Sequence, residues 1–590
     1  LPFSHVGKGG APVFKTDIEL RDKQGILNAG ACAMLQTPDG VIHFITRATG
    51  TTLAHWTYDA KDDSYQKHGS VKIPKQAQGA ASIGAYYHAD TGALDVFFEL
   101  TAPESRSLPI LNTRSDDWYP YDGYGADRRG LRRAYAVGVT YPSLLGGEPG
   151  KVYSISARLN DVYYGFMSLN GAVIGGKYGL LTGSRFGEFR FYERGEDGFV
   201  KKLASDPRGV ALRHRQINSN CVYYKSKQGD LEGIVAGGEG PIYFYKNAHK
   251  TNTLGAPVFE DPVALLQTDG YLYAGSLATP CVVDWDGDGV LDILTGASEG
   301  TVRFFKNTGS NEEPKFLNPV FLHAGGALIQ IEAGYSGSLQ GTTEARWGYI
   351  TPSVIDWNGD GLPDLTIGDI RGEYFIYMNE GTPTQPKLAA ARPLYCDGLN
   401  LKGRWRCGAA LADVDGRKAL MILDIDDQLH LYWRIDDYNL EDGGIVKMDN
   451  GQPIGAGSMP GGGSGRLKLT FYDWDGDGKL DIIAGAGRGV SLPDKISGYP
   501  RPTLGDRPPC TVLFVKNIGT NAQPVYLHPV PFMHREKGVV HSGGAHETGP
   551  CASRLGSKDG KPTLLICGEA GRLYLLKHEE LFTQPHSAKK

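Results

Sequence analysis

The chain has 590 residues, with 61 Lys and Arg against 66 Asp and Glu for a formal charge of −5, and 41% of it is hydrophobic. So small a charge over this length excludes the basic footprint of a nucleic-acid binder, and no apolar run is long enough to span a membrane. The 81 Gly, 34 Pro and 31 Tyr, with no long run of helical period, predict a nearly all-β protein too large for one simple core.

The chain begins with Leu1 rather than Met, which fits removal of an upstream leader or tag. "APVFKTDIEL" (11–20) has the pattern of segments found later, "APVFEDPVAL" (256–265) and "QPVYLHPVPF" (523–532), yet no companion strands precede it. From residue 30 a plan sets in: a short apolar strand, a turn, a second strand ending in Gly, an aromatic third strand and a Pro-x-aromatic fourth. It begins with "GACAMLQTPDGVIHFITRATGTTLAHWTYD" (30–59) and returns near residue 80. His88, in "AYYHADTG", falls at a turn of this plan and reads as structural.

Residues 102–135 interrupt the plan with a long insertion bearing Trp118, Tyr119, Tyr121 and Tyr124. A decorated loop of this length reads as a wall over a binding site. "YGLLTGSRFGEFRFYER" (178–194) has the look of second and third strands, making residues 135–216 a candidate further unit. Units then start near 221, 279, 351, 407, 467 and 551; those at 279 and 351 match almost element by element, as does the one near 467, and those at 221, 407 and 551 are weaker copies. A second insertion, 487–509, separates strands two and three of the unit that starts near 467. Repeats of four strands predict a β-propeller of eight blades, seven or nine being the alternatives, in one domain over 1–590. The last unit lacks a fourth strand, so residues 11–20 are expected to complete it and close the ring.

Three turns between strands one and two are acidic: "DWDGDGVLD" (284–292), "DWNGDGLPD" (356–364) and "DWDGDGKLD" (473–481). Calcium takes six to eight oxygen ligands, and acids at alternate positions of a Gly-bearing loop wrap it. The expected sets are Asp284, Asp286, Asp288, the Val290 carbonyl and Asp292; Asp356, Asn358, Asp360, the Leu362 carbonyl and Asp364; and Asp473, Asp475, Asp477, the Lys479 carbonyl and Asp481. Three calcium ions in structural roles are therefore expected. The turn at Asp413 and Asp415 is cut short by Arg417 and is expected to bind nothing.

Repeats with these turns resemble the FG-GAP or VCBS type, known from integrin α-subunit heads and from many secreted bacterial proteins. The resemblance implies a calcium-braced propeller. It leaves function open, because the repeat serves adhesion modules and carbohydrate-active enzymes alike.

If the acidic turns take one face, the crossings between blades take the other and converge on the channel mouth. These crossings carry Arg346 and Trp347 (341–349), Arg404, Trp405 and Arg406 (400–408), Arg466 (460–468), Arg213 and His214 (211–220), and His541, His546 and Glu547 (538–551). Guanidinium forks bind carboxylate or sulfate, and indoles stack on sugar rings, so an anionic polysaccharide or oligosaccharide is the expected ligand. The expected activity is that of a secreted carbohydrate-active enzyme, a polysaccharide lyase that cleaves a uronate-containing glycan by β-elimination. There the Arg residues neutralise the carboxylate, His541, His546 or His214 acts as base, and Tyr124 or Tyr349 acts as acid. A glycoside hydrolase using Glu344 and Glu547, or a non-catalytic glycan-binding module, are the alternatives. A monomer in the periplasm, at the cell surface or outside the cell is expected. The eight Cys make no CxxC pair, and Cys396 and Cys407 are the pair placed to bridge a loop.

Overall fold

Short apolar runs joined by Gly- and Asp-bearing turns form antiparallel sheets whose strands follow one another in chain order. The computed structural model describes every residue except 1–2, 8–10, 16–20, 23–24, 27–30, 60, 63, 102–132, 145, 157–161, 164–165, 185–186, 215–218, 226–231, 239, 269, 335–345, 456–465, 486–509, 541–546 and 584–590. Both insertions, and with them Tyr124, lie outside the described residues, as do Glu344, His541 and His546.

The chain divides into two compact units, one of Leu1–Leu111 and Arg129–Gly270, the other containing Tyr271–Lys590. In the first, four such sheets begin with the strands Cys32–Gln36, Ile83–Tyr87, Phe166–Ile174 and Asn220–Lys225, each first strand packing on the next. The sheet from Phe166 to Leu203 is the further unit foreshadowed by residues 178–194. Its sequence signal is faint because the acidic loop is replaced by the two-residue turn Gly175-Gly176, both at positive φ (59° and 75°), a geometry that suits a tight hairpin. His88 Nε2 donates to the buried Asp95 at 2.9 Å, which also takes hydrogen bonds from Thr140 and Tyr178. It is part of the packing of this unit.

The second unit holds five such sheets, beside two two-stranded pairs, and their first strands are Thr279–Val283, Thr351–Ile355, Ala410–Val414, Lys468–Tyr472 and Thr548–Ser553. Each packs against the next, and Thr548–Ser553 packs against Thr279–Val283. A pocket of about 440 Å³ lies between them, its lining including Cys281, Ser353, Ala410, Thr470 and Cys551, one residue from each strand. Second strands end in Gly for a steric reason. A Cβ on Gly296 would lie 2.5 Å from the Ile350 carbonyl oxygen, and one on Gly485 would lie 2.0 Å from that of Thr548. The backbone entering the neighbouring sheet leaves no room for a side chain.

Where eight units are favoured by sequence, the described residues thus hold four sheets in one unit and five in the other. The final sheet has three strands, Thr548–Ser553, Thr563–Gly568 and Tyr574–Leu576. Of the expected closing segment 11–20, Pro12–Phe14 pairs antiparallel with Phe3–Val6 and parallel with Leu266–Gln267, and residues 16–20 lie outside the described residues. All eight Cys are free thiols, so Cys396 and Cys407 are not bridged. No helix among the described residues is long and apolar enough to cross a membrane.

Candidate functional site

The first strands of the Tyr271–Lys590 unit carry chemistry at both ends, acidic turns after them and cationic crossings before them. At the acidic end, the three loops share one framework. Asp284 Oδ1 and Oδ2 accept the N–H groups of Asp288 (3.1 Å) and Gly289 (2.9 Å). Asp356 accepts those of Gly359, Asp360 and Gly361, and Asp473 accepts those of Gly476, Asp477 and Gly478. The closing acids are fully buried. Asp292, Asp364 and Asp481 each accept the N–H of the loop Trp, at 3.1, 2.9 and 3.1 Å, and of Asn307, Asn379 or Asn517 just past strand three. The N–H groups of Val290, Leu362 and Lys479 donate to the fifth-position acids Asp288, Asp360 and Asp477.

Two groups here could hold a metal: Asp284, Asp286 and Asp292, and Asp473, Asp475 and Asp481, each bringing its carboxylates within 4.8 Å of one another. The donors suit a hard divalent cation. Asp286 Oδ1 is buried with no hydrogen-bond partner. Burial, with Asp286 alongside, pushes Asp292 up to about 6, and burial, with Asp475 alongside, pushes Asp481 up to about 7. Such crowding of oxygens without enough positive charge is what calcium relieves. The 356–364 loop has the same backbone with an amide, Asn358, at its third position.

Sequence reasoning missed two groups that complete these loops. Asn311 accepts the Leu291 N–H at 2.6 Å, and Asn521 accepts that of Leu480 at 2.7 Å. Lys306 donates to Asp286 and Asp288, and Lys516 to Asp475 and Asp477. The Asn signal was present as "NTGSN" and "NIGTN" in matching copies. The Lys residues come directly after strand three and have no local signature.

At the opposite end, Leu277, Tyr349, Arg406 and Arg466 occupy equivalent places in four crossings, each four residues ahead of a residue that lines the space between the first strands (Cys281, Ser353, Ala410 and Thr470), and all have positive φ (52°, 45°, 58° and 76°). Such conformations in bulky residues mark backbone held under strain by its surroundings. The Arg406 guanidinium lies 3.3 Å from the Tyr349 ring centroid and 5.5 Å from that of Trp405, while Arg466 lies 5.1 Å from Trp405. Trp347 packs edge-on against Tyr349 at 5.0 Å. Glu547, in the fifth crossing, accepts from Arg406 at 2.8 Å and lies 3.4 Å from the Lys468 ammonium, which also donates to the Arg406 carbonyl. Arg404 makes a two-pronged pair with the buried Asp427, both bonds 2.6 Å.

The expected cluster therefore exists, but most of it is interior. Arg346, Trp347, Tyr349, Trp405, Arg406 and Arg466 are all buried. Burial alone would raise the Glu547 carboxyl; Arg406, Lys468 and Arg466 overcome this and hold it at about 2. Burial lowers the Lys468 ammonium, against the pull of Glu547. Arg213 and His214 belong to the other compact unit. There His214 is fully buried, with Nδ1 2.9 Å from the Tyr245 hydroxyl and its ring edge-on to Phe189 and Tyr243. Arg213 makes a backbone bridge with Glu188.

No protein-family model matches the chain. Integrin alpha-4 of Xenopus laevis is 23% identical to it over 313 residues, 50% of this chain and 24% of that protein. The chain spans about a quarter of the length of the relative it matches. With the four-stranded antiparallel sheets, this distant similarity points to FG-GAP-like repeats. The two Asp groups agree with the calcium sites of such repeats.

Proposed function

We propose that this is a secreted, monomeric, calcium-braced β-propeller protein that cleaves a uronate-containing polysaccharide by β-elimination at its crossing end. The five first strands of the Tyr271–Lys590 unit would form a five-bladed ring, with calcium in the three acidic loops. The observation that carries the reading is the gathering of Arg346, Arg404, Arg406, Arg466 and Lys468, with Trp347 and Trp405, at the end remote from those loops. Elimination needs a cation to draw charge from the substrate carboxylate, a base for the C5 proton and an acid for the leaving oxygen. In this reading the guanidinium cluster supplies the positive field, and the base comes from His541 or His546.

Glu547 weighs against hydrolysis. A glycoside hydrolase needs a carboxylic acid that still holds its proton near neutrality, and Glu547 is held ionised by Arg406 and Lys468. A non-catalytic glycan-binding module is the second reading, favoured by the pairing of Arg404 with Asp427 and of Arg406 with Glu547, which commits two of the cations internally. Incubation with a panel of uronate polysaccharides separates the readings. Elimination leaves an unsaturated uronate whose ultraviolet absorbance grows with time, and His541→Ala with His546→Ala should abolish it. Glycan binding without any absorbance change would establish the module, and release of reducing ends alone would establish hydrolysis.

A further inference from the structure

We infer that Lys306 and Lys516 are tethered cations that compete with calcium for the 284–292 and 473–481 loops, leaving the 356–364 loop as the tighter site. The inference rests on the calcium reading above and adds a ranking to it.

The three loops are a natural comparison because their register is the same to the atom. The Asn that follows the lysine position just past strand three donates its N–H to the buried closing acid in every copy, at 2.7, 2.7 and 2.8 Å. The residue before that Asn is Lys306, Met378 or Lys516. The third loop position changes in step with it: Asp286 and Asp475 where that position carries Lys, Asn358 where it carries Met. Each exchange of Asp for Asn is thus matched by loss of a Lys, and acids exceed the lysine by three in all three loops.

The contacts show what each lysine does. The Lys306 ammonium bonds Asp286 and lies 2.8 Å from Asp288 Oδ2; that of Lys516 bonds Asp475 and lies 3.1 Å from Asp477 Oδ2. Those are the third- and fifth-position acids, whose oxygens a calcium ion in the loop would use. In the remaining loop the fifth-position oxygen, Asp360 Oδ2, is instead met by the Asn358 amide at 2.8 Å. That amide is fixed the right way round, because its Oδ1 accepts the Asp360 N–H at 3.0 Å. A neutral amide satisfies the oxygen without opposing a cation. An ammonium must be moved off it, and its charge repels the incoming ion at close range. The same lysine would hold a loop together before calcium arrives, since it covers the repulsion between the acids.

The test is calcium titration of the purified full chain by calorimetry, using calcium chloride alone. The wild type should show one tight site and two sites at least about tenfold weaker, about 1.4 kcal/mol each. Lys306→Met with Lys516→Met should convert the pattern to three tight sites, while lowering the unfolding temperature of the chelated protein. Asn358→Asp with Met378→Lys copies the lysine arrangement into the tight loop and should leave no tight site. Circular dichroism of each variant with saturating calcium shows that it is folded. Three equal sites in the wild type, or lysine variants that bind calcium no more tightly, overturn the competition while leaving calcium binding intact. No calcium uptake by wild type or variants overturns the calcium reading and the ranking together.

Discussion

The two ends of the strands Thr279–Val283, Thr351–Ile355, Ala410–Val414, Lys468–Tyr472 and Thr548–Ser553 invert one another. After them, acids outnumber the bases that meet them; before them, Arg404 pairs with Asp427, and Arg406, Arg466 and Lys468 surround Glu547. The acidic end is local, because one nine-residue turn supplies nearly a whole ligand set. The cationic end is global: Arg406 and Glu547, 141 residues apart, meet only when the sheets pack. A metal turn can therefore be repaired or lost one loop at a time, whereas the crossing cluster stands or falls as a unit.

The largest effect should come from the cationic end. Glu547→Ala leaves Arg406 and Lys468 buried without their shared carboxylate, and loss of one partner of such a group costs about 3–5 kcal/mol. Urea unfolding measures it, and a loss within experimental error would show that the crossings are held by packing alone. Glu547 also sets an acid limit. Its carboxyl is depressed to about 2 in the folded chain and is ordinary when unfolded. The stability it adds is therefore present above the ordinary carboxylate range and drains away as pH falls toward 2. Glu547→Gln should flatten that acid limb of the stability profile.

Next in size is calcium. Chelation should lower stability by about 3 kcal/mol for a loop otherwise held at a hundred times its Kd, and Asp286→Asn or Asp475→Asn should remove one loop's share. Differential scanning calorimetry with and without calcium reads this, most cleanly in Asp284→Asn or Asp473→Asn, whose position is Asp in all three loops, and an unchanged melting temperature would mean that the loops stand without metal. The smallest change should follow Asn311→Ala or Asn521→Ala. Each deletes the acceptor for a loop N–H, worth about 1 kcal/mol, and should do so with calcium present or absent.

What could be read from the sequence follows the same divide. The acidic turns were legible because Asp284, Asp286 and Asp292 sit within nine residues and repeat in register. The lysines that meet them were not, since Lys306 and Lys516 stand directly after the third strand, far along the chain from the acids they meet. The sheets were legible down to the strands 177–184 and 189–195, though Gly175-Gly176 hid the unit they belong to. The convergence of Arg on the crossings was legible as a pattern. Its burial was not, because Asp427 and Glu547 carry no local sign that they will accept those guanidiniums. Likewise the segment Pro12–Phe14 announced a strand but not that it would lie along Leu266–Gln267. Periodicity encodes faces, and partners are decided by tertiary packing.

The division of labour between the two ends is tested most directly by following uronate elimination by the chelated, still folded protein, well below its melting temperature. If calcium only braces the ring and the crossing cluster does the chemistry, the initial rate should equal that of the calcium-loaded protein. A rate that collapses on chelation while the circular dichroism spectrum is unchanged, and returns on adding calcium, would contradict that division.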